Sequence, residues 1–277
     1  MYQRFKWTRV AYERNAILKR YEPIQPYILL ELARKSEADT FIDIGANIGT
    51  YSIFMSSLEG VRSVHAFEPS PQTFRELSEN VKLNTTDKIK IYRQALSDSS
   101  HEALFGIVGE CSGANSIVDG SIHAKQEFVR QDVIECTPLD KLGISTAGRM
   151  CIKLDVEGHE DRVLAGAEMT LARNKALLQV ERRRDDSAVS EILARCNYHK
   201  LFVIGPDWYY TNIEAFTSTD IISAFEGAAR TLIESNFDPD TREDRPLKLT
   251  LMPGFNLEVS GSGAGFARKV KQRVTHR

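Results

Sequence analysis

The chain has 277 residues, with 36 Lys+Arg against 38 Asp+Glu and a formal net charge of −2. Hydrophobic residues make up 42% and charged residues 27%, which excludes a disordered or fibrous chain and suits one sizeable core with extensions. The near-neutral balance excludes a body that binds nucleic acid by bulk electrostatics.

The four cysteines, Cys111, Cys136, Cys151 and Cys196, form no CxxC pair, so no zinc ribbon or thioredoxin motif is present. They are expected as reduced thiols. The most apolar early stretch, Tyr27 to Ala33, is short and carries Glu31. It is neither a signal peptide nor a membrane span, so a cytoplasmic protein is expected.

Residues 1–38 read as a helical lead-in, broken at Pro23 and Pro26, with a helix around Ile28 to Ala33. Residues 39–213 then alternate strands with helices. Thr40 to Ile44 is a short β-rich run closed by Gly45, and Ile48 to Leu58 follows at helical spacing. Val61 to Phe67 is a second strand. Ser70-Pro71 opens a helix, with serine as N-cap and proline at its first position. Phe74, Leu77 and Val81 form its buried stripe. Ile89 to Tyr92 is a third strand. Residues 97–127, rich in glycine, read as short irregular strands and loops over one sheet edge.

Met150 to Leu154 is a fourth strand, and a helix runs from about His159 to Ala165. Ala176 to Val180 is a fifth strand and Ser187 to Cys196 a further helix. Tyr198 to Ile204 and Trp208 to Thr211 close as a hairpin over Gly205-Pro206-Asp207. Such alternation means βαβ units and a mainly parallel sheet. In residues 214–277 a helix over 219–234 carries an apolar face of Ile221, Phe225, Ala228 and Leu232, expected to pack on the sheet. Leu247 to Leu251 is a last strand, and the end is a basic, solvated tail of Arg268, Lys269, Lys271, Arg273 and Arg277.

Three segments carry chemistry, all at strand ends. In Asp43-Ile44-Gly45-Ala46-Asn47-Ile48-Gly49, Gly45 allows a tight turn and Gly49 a close backbone approach. The spacing is not the G-x-G-x-x-G of a dinucleotide site. A carboxylate at Asp43 is awkward for a pyrophosphate and suits a cationic ligand such as S-adenosylmethionine. Glu68, in Phe67-Glu68-Pro69, stands one βαβ step on, where an acid accepts hydrogen bonds from ribose hydroxyls. In Lys153 to Glu160, the ionisable Asp155, Glu157 and His159 meet after the fourth strand, and Glu181 after the fifth joins them. Glu160 and Asp161 have a simpler role at a helix N-terminus.

These segments, with Ala66-Phe-Glu-Pro-Ser-Pro71, Asn80 and Asn84, Thr137-Pro-Leu-Asp140 and Ile152 to Glu160, resemble the FkbM family of S-adenosylmethionine-dependent methyltransferases. The resemblance runs from about Thr40 to Asn212. It implies an α/β, Rossmann-like class I methyltransferase fold: a seven-stranded, mainly parallel sheet with helices on both faces and one strand inserted antiparallel by the closing hairpin. It implies O-methylation of a hydroxyl on a sugar, glycolipid, polysaccharide or related natural product. Asp43, Gly45, Asn47 and Gly49 would hold the methionine end of the donor. Glu68 would hold the ribose, Pro69 and Ser70 the adenine side, with Gln94 and Ala95 as weaker adenine contacts.

Asp155, Glu157 or His159 would serve as the base, with Asp155 first for its position and His159 offering the more suitable unperturbed pKa of about 6.5. No metal is assigned, although Asp155, Glu157 and Glu181 offer oxygens of the kind Mg²⁺ takes. The acceptor is a small molecule or glycan. A nucleic-acid methyltransferase using the basic tail, and a catalytically silent cofactor-binding partner protein, are the alternatives. Tyr209 and Tyr210 read as packing or carbohydrate-stacking residues.

Overall fold

The computed structural model describes residues 5–11, 13, 24–109, 112–118, 127–144, 148–182, 187–214, 216–236, 247–252, 255–259 and 271–274. The elements in chain order begin with α1 (Gln25–Lys35), β1 (Ala38–Ile44), α2 (Thr50–Ser56), β2 (Ser63–Phe67) and α3 (Pro71–Leu83). Next come β3 (Ile89–Tyr92), β4 (Ala95–Leu96), β5 (His101–Ile107), β6 (Ser116–Ile117) and β7 (Arg130–Thr137). Then follow β8 (Arg149–Leu154), α4 (Glu160–Ala165), α5 (Glu168–Arg173), β9 (Lys175–Glu181) and α6 (Ser187–Arg195). The chain ends in β10 (His199–Ile204), β11 (Asp207–Thr211), α7 (Ser218–Asn236), β12 (Leu247–Met252), β13 (Phe255–Val259) and β14 (Lys271–Val274).

The main sheet has seven strands in the order β10-β11-β9-β8-β1-β2-β3. β9, β8, β1, β2 and β3 run parallel, and β11 enters antiparallel between β9 and β10. All seven residues of β1 are buried, as a central strand covered on both faces requires. The two faces hold separate apolar clusters. One joins Phe41, Val64, Cys151 and Leu177 to residues of α1, α2, α3 and α7. The other joins Ile42, Ile44, Ile152 and Leu178 to residues of α4, α5 and α6. This is the expected Rossmann-like α/β architecture, with helices on both faces.

Side-chain polarity sets several element ends. Ser70 caps α3 by accepting the Thr73 N–H at 3.4 Å, and Pro71 is its first helical residue. Pro26 lies in the first turn of α1 and so starts that helix rather than breaking it. Pro23 lies outside the described residues. Gly49, at φ +88°, starts α2 later than its apolar spacing implied. Asp140 accepts from the backbone N–H groups of Met169 and Thr170, at 3.0 and 2.7 Å, and caps α5 from a distant loop.

Two regions differ from expectation. Residues 97–127 are expected as short irregular strands and loops; strands do form there, but β5 is a regular one of seven residues. With β4, β6 and β7 it builds a separate four-stranded sheet in the order β4-β7-β5-β6. Strand β7 was not read from the sequence at all. Its alternation is real, with Ile134 and Cys136 buried and Val133 exposed, but its apolar side faces only a small cluster with Phe105 and Ile107. The second difference is the C-terminal region. There β12, β13 and β14 pair antiparallel, so Lys271 and Arg273 lie on a paired strand rather than in a solvated tail. Arg268, Lys269 and Arg277 lie outside the described residues. The alternation Phe255, Leu257, Val259 was the unread signal for this sheet.

Helix α7 packs chiefly on α1 rather than directly on the sheet, which it meets at Phe202. Phe225, Ala228 and Leu232 are buried with α1, and Phe225 lies against Phe202 at 5.1 Å between ring centroids. Cys136, Cys151 and Cys196 are buried free thiols, and Cys111 lies outside the described residues. Among the described residues no helix is long and apolar enough to cross a membrane.

The separate sheet is locked to the main one at Gly166, just after α4. A Cβ there would lie 2.0 Å from the Ser97 carbonyl oxygen. Gly166→Ala is expected to cost about 1–3 kcal/mol by overpacking. It should lower the urea midpoint without changing the m-value. A midpoint equal to wild type would show that the contact yields freely.

Candidate functional site

The carboxyl ends of β1, β2, β8 and β9 surround a cavity of about 380 Å³. Its base is the loop after β1. Gly45, at φ +80°, turns that loop so tightly that a Cβ would lie 1.9 Å from the Asp155 carbonyl oxygen. The N–H groups of Gly45 and Ala46 both donate to the Phe67 carbonyl, at 3.1 and 2.9 Å. Asn47 follows at φ +51°, a left-handed conformation that Asn tolerates better than most residues.

Glu68 is 5% exposed. Its Oε2 accepts the Asn47 N–H and its Oε1 the Ser70 N–H, both at 3.0 Å. Two backbone donors thus orient one carboxylate, which also lines the cavity. Nearby, Gln94 Nε2, Asn47 Oδ1 and Thr50 Oγ1 are buried without a hydrogen-bond partner. All three residues line the cavity.

The opposite wall is acidic. In register across the sheet, Asp43 pairs with Lys153, Lys153 with Gln179, and Gln179 with Tyr209. These side chains therefore share the α2 face of the sheet. Asp155 and Glu181 stand two residues further along the same face, at the cavity. Lys153 is 7% exposed at its side chain and donates to Asp155 Oδ2 at 2.8 Å. Its ammonium also lies 4.9 Å from the Tyr51 ring centroid, a distance suited to a cation–π contact. Asp155, Glu157 and Glu181 each bring a carboxylate oxygen within 4.8 Å of the others. Burial, with the Asp155 carboxylate next, pushes Glu181 well above the ordinary carboxylate range.

His159 links this wall to the separate sheet, with Nε2 2.9 Å from Ser97 Oγ. Burial lowers its pKa from the ordinary value of 6.5. Glu160 accepts the Val156 and Gly158 N–H groups at 3.3 and 3.0 Å. It orders the turn in which Glu157 and Gly158 adopt φ +60° and +102°.

Of the residues read from the sequence, Gly45, Asn47, Glu68, Pro69, Gln94, Ala95, Asp155, Glu157 and His159 line the cavity. Asp43, Gly49 and Ser70 stand behind its wall. Asp43 is 1% exposed and points to α2, where Ser52 donates to its Oδ2 at 2.6 Å. Its Oδ1 is buried with no hydrogen-bond partner, and burial raises its pKa. Gly49 and Ser70 act as helix N-caps. Asn80, fully buried, ties the loop to α3 by donating to the Ile48 carbonyl at 2.9 Å. Tyr209 and Tyr210 are 0% and 4% exposed, so they pack and do not stack on a carbohydrate.

Lys153, Tyr51 and the loop at Ser112 to Asn115 also line the cavity and were not read as site residues. A lysine inside a buried strand was a legible signal for the first. The others come from tertiary packing: Asn47 Nδ2 donates to the Ser112 carbonyl at 3.4 Å, across 65 positions of sequence.

The lowered pKa values of His159 and His65, both caused first by burial, fix a pH dependence. The unfolded chain binds more protons in the window below 6.5. Their contribution to stability is therefore fully present above that value and lost as pH falls through the folded pKa values, while the raised Glu181 contributes with the opposite sign. His159→Gln is expected to remove one share of that loss and leave the His65 share. Thermal melts across about pH 5 to 7.5 read the slope, and a slope unchanged in the variant would contradict a neutral, buried His159.

The methyltransferase FkbM domain model matches residues 43–200. The hexuronic acid methyltransferase AglP of Haloferax volcanii is 30% identical over 193 residues, covering 65% of this chain and 76% of that one. A methyltransferase FkbM from Methylobacillus flagellatus KT superposes with a TM-score of 0.45 at 18% identity, over 63% of this chain. This chain spans 44% of the length of that structure. An S-adenosylmethionine-dependent methyltransferase from Aquifex aeolicus gives a TM-score of 0.40 at 14% identity, over 75% of this chain and all of that one. The domain match and the Haloferax relative, centred on the strand ends that form the cavity, show that the chain belongs to the FkbM methyltransferase family, whose methyl donor is S-adenosylmethionine.

Proposed function

We propose that the protein O-methylates a sugar hydroxyl, using Asp155 as the proton acceptor. The observation that carries this reading is the clamped carboxylate: Lys153 holds Asp155 Oδ2 at 2.8 Å on the wall of the cavity. The sugar class is supported by the Haloferax relative, named as a hexuronic acid methyltransferase.

The residues present fit the donor. An acidic wall with one buried lysine suits a ligand bearing a sulfonium and an ammonium, and suits a phosphate poorly. Glu68 is oriented to accept from two ribose hydroxyls. The unpaired amide nitrogen of Gln94, with Pro69 and Ala95, bounds the adenine side. Asn47 and Thr50 supply the unpaired oxygens toward the methionine end. Asp43 acts from behind the wall, by charge and through its unpaired Oδ1.

S-adenosylmethionine supplies an electrophilic methyl: the acceptor oxygen forms the new C–O bond as the C–S bond breaks, with its electron pair left on sulfur. The attacking hydroxyl becomes strongly acidic as that bond forms, so a carboxylate is a sufficient base. Asp155 takes that proton. Lys153 holds Asp155 in place, which lowers the reorganisation needed at reaction. His159 is a poorer base here, because Ser97 engages its Nε2.

Asp155→Asn is expected to lower kcat by about 10²–10⁴-fold, the usual size of a general-base contribution. The measurement is transfer of labelled methyl to hexuronic acids, hexoses and their oligosaccharides. Stabilisation by S-adenosylhomocysteine should persist in the variant, and EDTA should leave transfer intact. Transfer abolished by EDTA would move the three carboxylates to a metal site. Glu68→Gln separates binding from chemistry. It swaps an acceptor for a donor facing the Asn47 or Ser70 N–H, and about a ten-fold weaker affinity for S-adenosylhomocysteine is expected. Unchanged affinity would sink the ribose assignment.

A further inference from the structure

A second concavity, of about 650 Å³, opens on the far side of His159. His159 and Ile117 line both it and the first cavity. One wall is polar and comes from the turn after β4 and from α4. The other is aliphatic and comes from β5 and β6, where Leu104 is 49% exposed. No role in donor binding or in the transfer step uses this groove.

Its polar wall is built, not incidental. Arg162 Nη1 donates to Asp98 Oδ2 at 2.6 Å. Ser99 Oγ donates to Asp98 Oδ1 at 3.0 Å, and the Arg162 hydrogen bond keeps Asp98 below the usual carboxylate range. His101 Nδ1 lies 3.1 Å from the Ser99 carbonyl. The groove thus offers donors at Arg162, acceptors at Asp98, the polar ring of His101, and an apolar shelf at Leu104 and Val118. Donor and acceptor pairs recognise vicinal hydroxyls, and an aliphatic shelf covers the C–H face of a pyranose. The guanidinium is 61% exposed, so a ligand in the groove can reach it.

We propose that this groove is a second sugar subsite, which binds the unit neighbouring the methylated one in an oligosaccharide acceptor. Arg162 and Asp98 hydrogen-bond its hydroxyls, and Leu104 packs on its ring. The assignment rests on the sugar O-methyltransferase reading above. It makes the chain an enzyme of oligomeric acceptors rather than free monosaccharides. The separate four-stranded sheet is then the element that reads acceptor length.

The test compares two probes, the methyl glycoside of glucuronic acid and a hexasaccharide ending in glucuronic acid, by kcat/KM for methyl transfer. Wild type is expected to favour the hexasaccharide about ten-fold, the size one charged hydrogen-bond pair with an apolar contact supplies. Arg162→Ala and Leu104→Asn should each remove most of that advantage while leaving the monosaccharide rate within about two-fold. Both side chains are well exposed, and an unchanged melting temperature verifies folding. Equal kcat/KM for the two probes in wild type, or equal losses on both in the variants, would overturn the subsite alone. Methylation of neither probe, with S-adenosylhomocysteine still bound, would overturn the sugar reading and the subsite with it.

Discussion

The contact on which the site depends is the approach of the loop after β1 to the loop after β8. Only a residue without a Cβ can stand at position 45, where the Asp155 carbonyl fills the space a side chain would take. That approach lets the Asp155 N–H donate to the Ile44 carbonyl at 3.0 Å. It also brings the Asn47 N–H to Glu68. One steric allowance therefore sets the distance between Glu68 and Asp155, the residues proposed to hold the donor and to take the proton. A bulkier residue there would separate the two halves of the reaction.

Charge follows from the register. Parallel pairing of β1, β8 and β9 lines Asp43, Lys153 and Gln179 in one row, with Asp155 and Glu181 beyond them. Several carboxylates gathered about one buried ammonium give a site that attracts cations. Burial makes that field strong and also costly. It raises Glu181, and at Asp43 the Ser52 hydroxyl, by donating to the carboxylate, offsets part of that cost. The cationic donor then completes a charge balance that the sheet leaves open.

The sheet of β4 to β7 adds a wall that the parallel core lacks. It is tied to α4 by His159 against Ser97 and by Arg162 against Asp98. Its tip touches the donor loop through Ser112 and Asn47. Its own apolar cluster is slight, with Phe105, Ile107, Ile134, Ala95 and Cys136, so the His159–Ser97 contact and the close approach of Gly166 to Ser97 hold it in place.

The sequence by itself determined the βα alternation, the positions of Gly45, Asn47, Glu68 and Asp155 at strand ends, and the family. The reason is local: turn glycines, a Ser-Pro helix start and short apolar runs act within a few residues of where they are read. Tertiary structure alone decided that Asp43 stands behind the wall rather than on it, because the facing of a strand residue depends on its sheet neighbours. It alone placed Lys153 on Asp155, since the pair acquires meaning only when burial removes the water between them. It also assembled β7 with β5, whose pairing of Ile107 with Arg130 spans a stretch that carries no periodic signal of its own. Contacts of that kind are fixed by packing over long separations, and a one-dimensional pattern does not encode them.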